Sequence, residues 1–219
     1  MVTGINGSGT SGDGVILSLN EIETTVLKAA RGAGYGWGLA EEAGAAARWL
    51  AQHDLPWAAT VDTVLAENTV CLVGTNTAMS NPLVAGTWIC DDMAIDSGTP
   101  RNLTAVVAPL WLAAVVGVGR RGKPVRVSME WPEAALVTLQ GTLQHAAGDL
   151  AHPGPAPVCI RTRHPAGEAI VGAKTRSHGG RHVDETVWRF VMELERRTYV
   201  PSSMRSRETG AGAGTSDDD

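Results

Sequence analysis

The polar side chains best suited to chemistry lie close together in a glycine-rich segment, residues 174–184. The segment combines two imidazoles, one carboxylate and three cations: His178, His182, Asp184, Lys174, Arg176 and Arg181. Three interpretations remain open. The cations and the start of the next helix can bind a carboxylate or phosphate. The imidazoles and the carboxylate can ligate a divalent metal. Alternatively, the segment is a solvated basic loop in which Asp184 only caps a helix.

The spacing of the two histidines argues against a metal site. Residues four apart share a face only on a helix, and Gly179 and Gly180 disfavour a helix between them. We therefore predict no metal ligands and regard His178 and His182 as the candidate catalytic residues, which would transfer protons. No sequence signal identifies a cofactor.

Five arginines are the candidate anion ligands. Two of them, Arg176 and Arg181, belong to the glycine-rich segment. Arg31 precedes an aromatic loop at residues 35–38, and Arg205 and Arg207 belong to a C-terminal tail that alternates hydroxyls with guanidiniums. Because guanidinium groups bind carboxylates and phosphates bidentately, these arginines predict an anionic ligand.

Two helices are predicted near the N-terminus. Ser18 and Glu21 form a capping-box pattern that begins the first helix, which glycines end after Arg31. The second helix is predicted over residues 39–52, with Glu41 and Glu42 in its first turn compensating the helix dipole. Their alanine-rich faces favour a helical hairpin.

The later part of the chain changes from helical periodicity to alternation. Residues 83–90 are interpreted as a buried strand and residues 103–118 as a buried apolar helix, kinked at Pro109. Further strands are predicted at 125–130, 134–143, 158–163 and 168–173, and a last helix at 184–197.

Together these elements predict an α+β fold. It would contain an N-terminal helical hairpin, a buried apolar helix, a small mainly antiparallel sheet, a C-terminal helix and an irregular tail. We expect a disordered lead over residues 1–16, a single domain over 17–200 and the tail over 201–219.

Composition excludes some function classes. The 219 residues carry a net charge of −5, so a nucleic-acid-binding role is not expected. Residues 102–119 are uncharged, but their glycines and Pro109 favour a core helix over a membrane span. Cys71, Cys90 and Cys159 are predicted to be buried, reduced thiols, and no secretory signal is visible, so a cytoplasmic location is expected.

Residues 17–23 and 30–43 resemble a bacterial family catalogued only as a domain of unknown function, number 3726. Residues 197–203 and 210–214 resemble it as well. The resemblance implies a cytoplasmic bacterial protein and implies no activity.

Two function classes follow from these observations. The first is a small enzyme, or enzyme subunit, that binds an anionic metabolite through the arginines and transfers protons through His178 or His182. The second is a non-catalytic accessory or assembly subunit that binds a protein partner or a second copy of itself. The seven tryptophans and the polar chain ends suit this alternative.

Overall fold

The structure, a computed structural model, describes residues 14–66, 81–92, 98–165, 167 and 180–199. Over these ranges it is an α+β fold, as predicted. The helices are α1 (Leu19–Gly32), α2 (Trp37–Gln52), α3 (Val61–Leu65), α4 (Pro82–Asp91), α5 (Pro109–Gly119) and α6 (Glu185–Arg196), with a 3₁₀ turn at Trp57–Thr60. The strands are β1 (Gly14–Leu17), β2 (Arg101–Val106), β3 (Arg126–Trp131), β4 (Ala134–Leu139), β5 (Thr142–Gly148), β6 (Ala156–Arg163) and β7 (Arg181–Asp184).

The N-terminal helical hairpin is confirmed. The Ser18 hydroxyl accepts from the Glu21 amide at 3.2 Å, and the Glu21 carboxylate accepts from the Ser18 amide at 2.7 Å. These two bonds satisfy amides that a helix start leaves without partners. The two helices approach closely at Gly44, where a Cβ would lie 2.7 Å from the Glu23 carbonyl oxygen.

The predicted strand at residues 83–90 is wrong, because this segment forms α4. The Asn81 side chain accepts from the Leu83 amide at 2.9 Å and caps the helix, and Pro82 follows at its first position. A short apolar run has no periodicity that distinguishes a helix from a strand. The sequence Asn81-Pro82, a typical helix start, is the feature that indicates a helix here.

The buried apolar helix is confirmed in its second half only. Residues 101–106 form β2, and α5 begins at Pro109 after a left-handed Ala108. Proline has no amide hydrogen and a fixed φ, so it begins this helix instead of kinking it. Pro109 to Gly117 are all buried. Within the described residues, no helix is long and apolar enough to cross a membrane.

The five-stranded sheet is antiparallel throughout, in the order β2-β6-β3-β4-β5. The single strand predicted over 134–143 is in fact a hairpin, β4 and β5. Gln140 and Gly141 have φ values of 52° and 77° at its turn, as a two-residue hairpin requires. The Trp49 indole donates to the Gly141 carbonyl at 2.9 Å and fixes this turn to α2.

A second sheet brings the two ends of the described chain together. Strand β1 begins at Gly14, inside the segment predicted as a disordered lead, and pairs antiparallel with β7. The last helix, α6, follows β7 directly and packs on α1. The predicted strand at 168–173 lies outside the described residues, and β6 pairs with β2 and β3.

Candidate functional site

The predicted site residues fall into two groups. His178, Arg176, Lys174, Arg205 and Arg207 lie outside the described residues. The structure places the other four: Arg181 and His182 line one cavity, Arg31 lines another, and Asp184 lies at the start of α6.

Arg181 fastens β7 to the end of α2. Its side chain is 10% exposed, its Nε donates to the Ala51 carbonyl at 2.6 Å, and it lies 3.3 Å from an Asp54 carboxylate oxygen. A cation at the last carbonyls of a helix satisfies unpaired acceptors and complements the dipole. These contacts give Arg181 a structural role in the fold.

His182 is exposed on β7, opposite Ile16 of β1. Its ring lies over Gly14, where a Cβ would be 2.0 Å from the imidazole. His182, Arg181 and Asp54 line a cavity of about 320 Å³, which we call the His182 cavity. It therefore contains one of the candidate catalytic residues together with an ion pair.

Asp184 caps α6. One carboxylate oxygen accepts from the amides of Thr186 at 2.8 Å and Val187 at 3.4 Å, and these hydrogen bonds lower the pKa of Asp184. This geometry favours the capping interpretation of Asp184. In the part of the chain that the structure describes, no group of three His, Cys, Asp or Glu side chains is arranged to hold a metal ion.

Arg31 lies at a second cavity, between the ends of α1 and α6 and the beginning of α2. Its volume is about 460 Å³, within the usual range for small-molecule sites. We call it the cationic cavity, and it is lined by Leu27, Lys28, Arg31, Trp37, Arg197, Thr198 and Tyr199.

Two guanidiniums at the cationic cavity have no acidic partner among the described residues. Arg31 donates to the Tyr35 carbonyl, and its guanidinium lies 4.8 Å from the Trp37 ring. Arg197 directly follows the last residue of α6, and its Cβ lies near Gly32 of α1. Within the described ranges, no acidic side chain thus compensates the charges of Arg31 and Arg197.

The charge of the third cation, Lys28, is compensated by Glu195. Its Nζ lies 2.8 Å from Oε1 of Glu195, and the Tyr199 hydroxyl donates to the same oxygen at 2.7 Å. Burial alone would raise the pKa of Glu195, but the hydrogen bonds from Lys28 and Tyr199 outweigh it and lower the pKa. The same hydrogen bond and charge raise the pKa of Lys28, so both groups are ionised at neutral pH.

The two cavities lie at opposite ends of α2. Trp37 lines the cationic cavity and Ala51 lines the His182 cavity. Fourteen residues at 1.5 Å each place these two positions about 20 Å apart along the helix axis. The structure therefore does not bring Arg31 to the same site as Arg181 and His182.

Sequence reasoning missed Lys28 and Arg197 as site residues. Lys28 is three residues from Arg31, a spacing that places both side chains on one face of α1. This spacing is sufficient to predict from the sequence that Lys28 lies beside Arg31. The approach of Arg197 was not, because it depends on the packing of α6 against α1, far apart in the sequence.

The dipole explanation for Glu41 and Glu42 is wrong. Since α2 begins at Trp37, neither lies in the first turn. Burial, and then the nearby charges of Asp91 and Glu41, raise the pKa of Glu42. The Glu42 side chain is therefore held partly inside the protein and does not compensate the helix dipole.

The described cysteines, Cys90 and Cys159, are free thiols and only half-buried, whereas full burial was predicted. Burial raises the pKa of the Cys90 thiol to about 11. A thiol with so high a pKa is a poor nucleophile at neutral pH. Cys71 lies outside the described residues.

Fold and site together define an α+β protein with a cationic, aromatic-walled cavity between its first and last helices. Residues 17–80 match the model of a family described as a protein of unknown function (DUF3726). The match confirms the resemblance predicted from residues 17–23 and 30–43. No curated protein and no solved structure matches the chain.

Proposed function

We propose that the protein binds a small anionic molecule in the cationic cavity. The observation that carries this proposal is the presence of two guanidiniums, Arg31 and Arg197, without acidic partners in the described ranges, at one cavity of ligand size. Guanidinium groups match the geometry of carboxylates and phosphates.

The charge at the cavity supports a ligand with more than one negative charge. Lys28 and Glu195 offset each other, so Arg31 and Arg197 leave a local charge of about two units. This positive site lies on a protein of net charge −5. Arg205 and Arg207 belong to the same proposal, because they follow Tyr199 of the cavity wall by six and eight residues in the sequence.

His182 is not proposed to act at the cationic cavity, since the length of α2 separates His182 from that cavity. Proton transfer by His178 or His182, with Arg176 and Arg181 among the anion ligands, remains a separate prediction. A bacterial origin and a cytoplasmic location are proposed from the family resemblance.

The test is calorimetric titration of the full chain with inorganic phosphate at about 20 mM salt, where charge interactions are weakly screened. We expect saturable binding that Arg31→Gln and Arg197→Gln each weaken at least about fivefold, the effect of one charge-assisted contact. The matched control is Arg196→Gln, which removes one charge from the neighbouring position outside the cavity. Equal weakening by Arg196→Gln and Arg197→Gln would show a nonspecific charge effect and contradict the proposal.

A second candidate is the accessory subunit. Trp37 is 65% exposed and Tyr199 is 55% exposed, and both lie beside arginines at the cationic cavity. Tryptophan, tyrosine and arginine are the residues enriched at the centres of protein interfaces. Native mass spectrometry of gently purified protein separates the candidates: a stoichiometric second chain that Trp37→Ala releases would favour the accessory subunit.

A further inference from the structure

Two exposed aromatic rings form part of the wall of the cationic cavity. Of the large hydrophobic side chains in the described residues, Trp37 and Tyr199 are two of the few that are exposed. Neither ring belongs to the buried core: Trp37 is the first residue of α2, and Tyr199 lies three residues beyond the end of α6. Exposed rings at a cavity provide a surface on which a flat ligand can stack.

Each ring already has a cation near it. The Arg31 guanidinium lies 4.8 Å from the Trp37 ring, and the Lys28 ammonium lies 5.7 Å from the Tyr199 ring. A cation over a ring is attracted by its π electrons and holds the ring in place. More than half of each ring residue nevertheless stays open to solvent, so a ligand ring can contact it.

Ring and charge are adjacent at this site. Arg31 contacts Trp37 directly, and Arg197 is two residues before Tyr199. A ligand that satisfies both must therefore carry its planar group within a few bonds of its anionic group. A phosphate monoester carries about −1.5 to −2 charges at neutral pH, which suits two guanidiniums better than a single carboxylate does.

We propose that the anionic ligand is a phosphate monoester that carries a planar heteroaromatic ring, as a nucleoside monophosphate does. The proposal rests on the anion-binding function proposed above and specifies its ligand class. The ring stacks on Trp37, and the phosphate binds Arg31 and Arg197.

The experiment compares five probes on the full chain by calorimetry at low salt. They are adenosine 5′-monophosphate, ribose 5-phosphate, adenosine, inorganic phosphate and a 5′-phosphorylated triadenylate. Stacking of a base on an aromatic side chain corresponds to a gain of about fivefold or more in affinity. We therefore expect adenosine 5′-monophosphate to bind at least fivefold more tightly than ribose 5-phosphate, which has the same phosphate without the base.

The variant Trp37→Leu keeps an apolar side chain and removes the ring. It should abolish the preference for adenosine 5′-monophosphate over ribose 5-phosphate. The matched control is Trp88→Leu, because Trp88 is also exposed and has a guanidinium, that of Arg101, 5.0 Å from its ring, but lies outside the cavity. Trp88→Leu should retain the preference.

The outcomes separate the two proposals. Equal affinity for adenosine 5′-monophosphate and ribose 5-phosphate would overturn the ring proposal and leave anion binding intact. Binding of none of the phosphates would overturn both. A 5′-phosphorylated triadenylate that binds more than tenfold more tightly than the monomer would assign the site to nucleic-acid ends and overturn the small-molecule ligand.

Discussion

Replacing Glu195 by glutamine tests the charge arrangement beneath the cationic cavity. The side chain is 5% exposed and accepts from both Lys28, at 2.8 Å, and Tyr199, at 2.7 Å. Glutamine has nearly the same shape but no charge, so it keeps one acceptor oxygen and loses the electrostatic part of both bonds. The change therefore removes a charge without creating a cavity.

The expected loss is about 1–2 kcal/mol in the free energy of unfolding. A hydrogen bond to a charged group contributes roughly 1.5–3 kcal/mol, and glutamine keeps part of this. Breaking a fully buried pair can cost about 3–5 kcal/mol, but Lys28 remains hydrated because its side chain is 46% exposed, which lowers the figure.

Urea unfolding followed by circular dichroism measures this loss at several pH values. The pKa of Glu195 is lowered in the folded protein, so its stabilisation is present above the unfolded value near 4.5 and is lost as the pH falls through the folded value. The difference between wild type and Glu195→Gln should accordingly be complete at pH 7 and shrink below about pH 4.5.

Glu193→Gln is the matched control on the same helix. Its carboxylate lies 3.5 Å from Arg196, and both side chains are more than 60% exposed. A surface pair of this kind contributes little, so we expect a change below about 0.5 kcal/mol. If Glu195→Gln and Glu193→Gln are equally mild at pH 7, or if the Glu195→Gln difference does not depend on pH, the electrostatic reasoning is refuted.

Two further predictions concern packing and reactivity. Gly32→Ala should destabilise the protein by about 2–3 kcal/mol, since a Cβ there would lie 1.8 Å from the Leu194 carbonyl oxygen. Gly38→Ala, in open space on α2, should stabilise it by up to about 1 kcal/mol. Urea unfolding of both variants measures these changes, and equal effects would contradict the close contact of α1 with α6. Alkylation of Cys90 at pH 8 should be about 100-fold slower in the folded protein than in urea, because a pKa of about 11 leaves little thiolate; peptide mapping measures this, and equal rates would contradict burial of the thiol.

The sequence predicted the fold best where local signals agree. The capping box at Ser18, the amphipathic α6 and the alternation in β3 each indicate one structure by themselves. The assignment failed at α4, where a short run is apolar on its exposed face as well as its buried one, as the exposed Trp88 shows, so that the pattern has no periodicity that distinguishes helix from strand.

The candidate site was less predictable, because its two halves come from distant parts of the chain. Arg31 was identified from its local environment, and Lys28 was within reach of the same reasoning. The pairing of Lys28 with Glu195 spans 167 residues and depends on how α6 packs against α1. No spacing rule within either helix predicts such a contact.

The family match includes only one of the two parts of the chain that form the cationic cavity. It covers residues 17–80 and so includes Lys28, Arg31 and Trp37, but not Arg197 or Tyr199. The cationic cavity exists only when α6 packs on α1, which makes it a property of the whole fold and not of the matched segment. A ligand that binds there must stabilise the native state, by about 2.7 kcal/mol at a concentration 100 times its dissociation constant. That exceeds the loss expected for Glu195→Gln, so saturating phosphate should restore the stability of this variant if the two helices form one binding site.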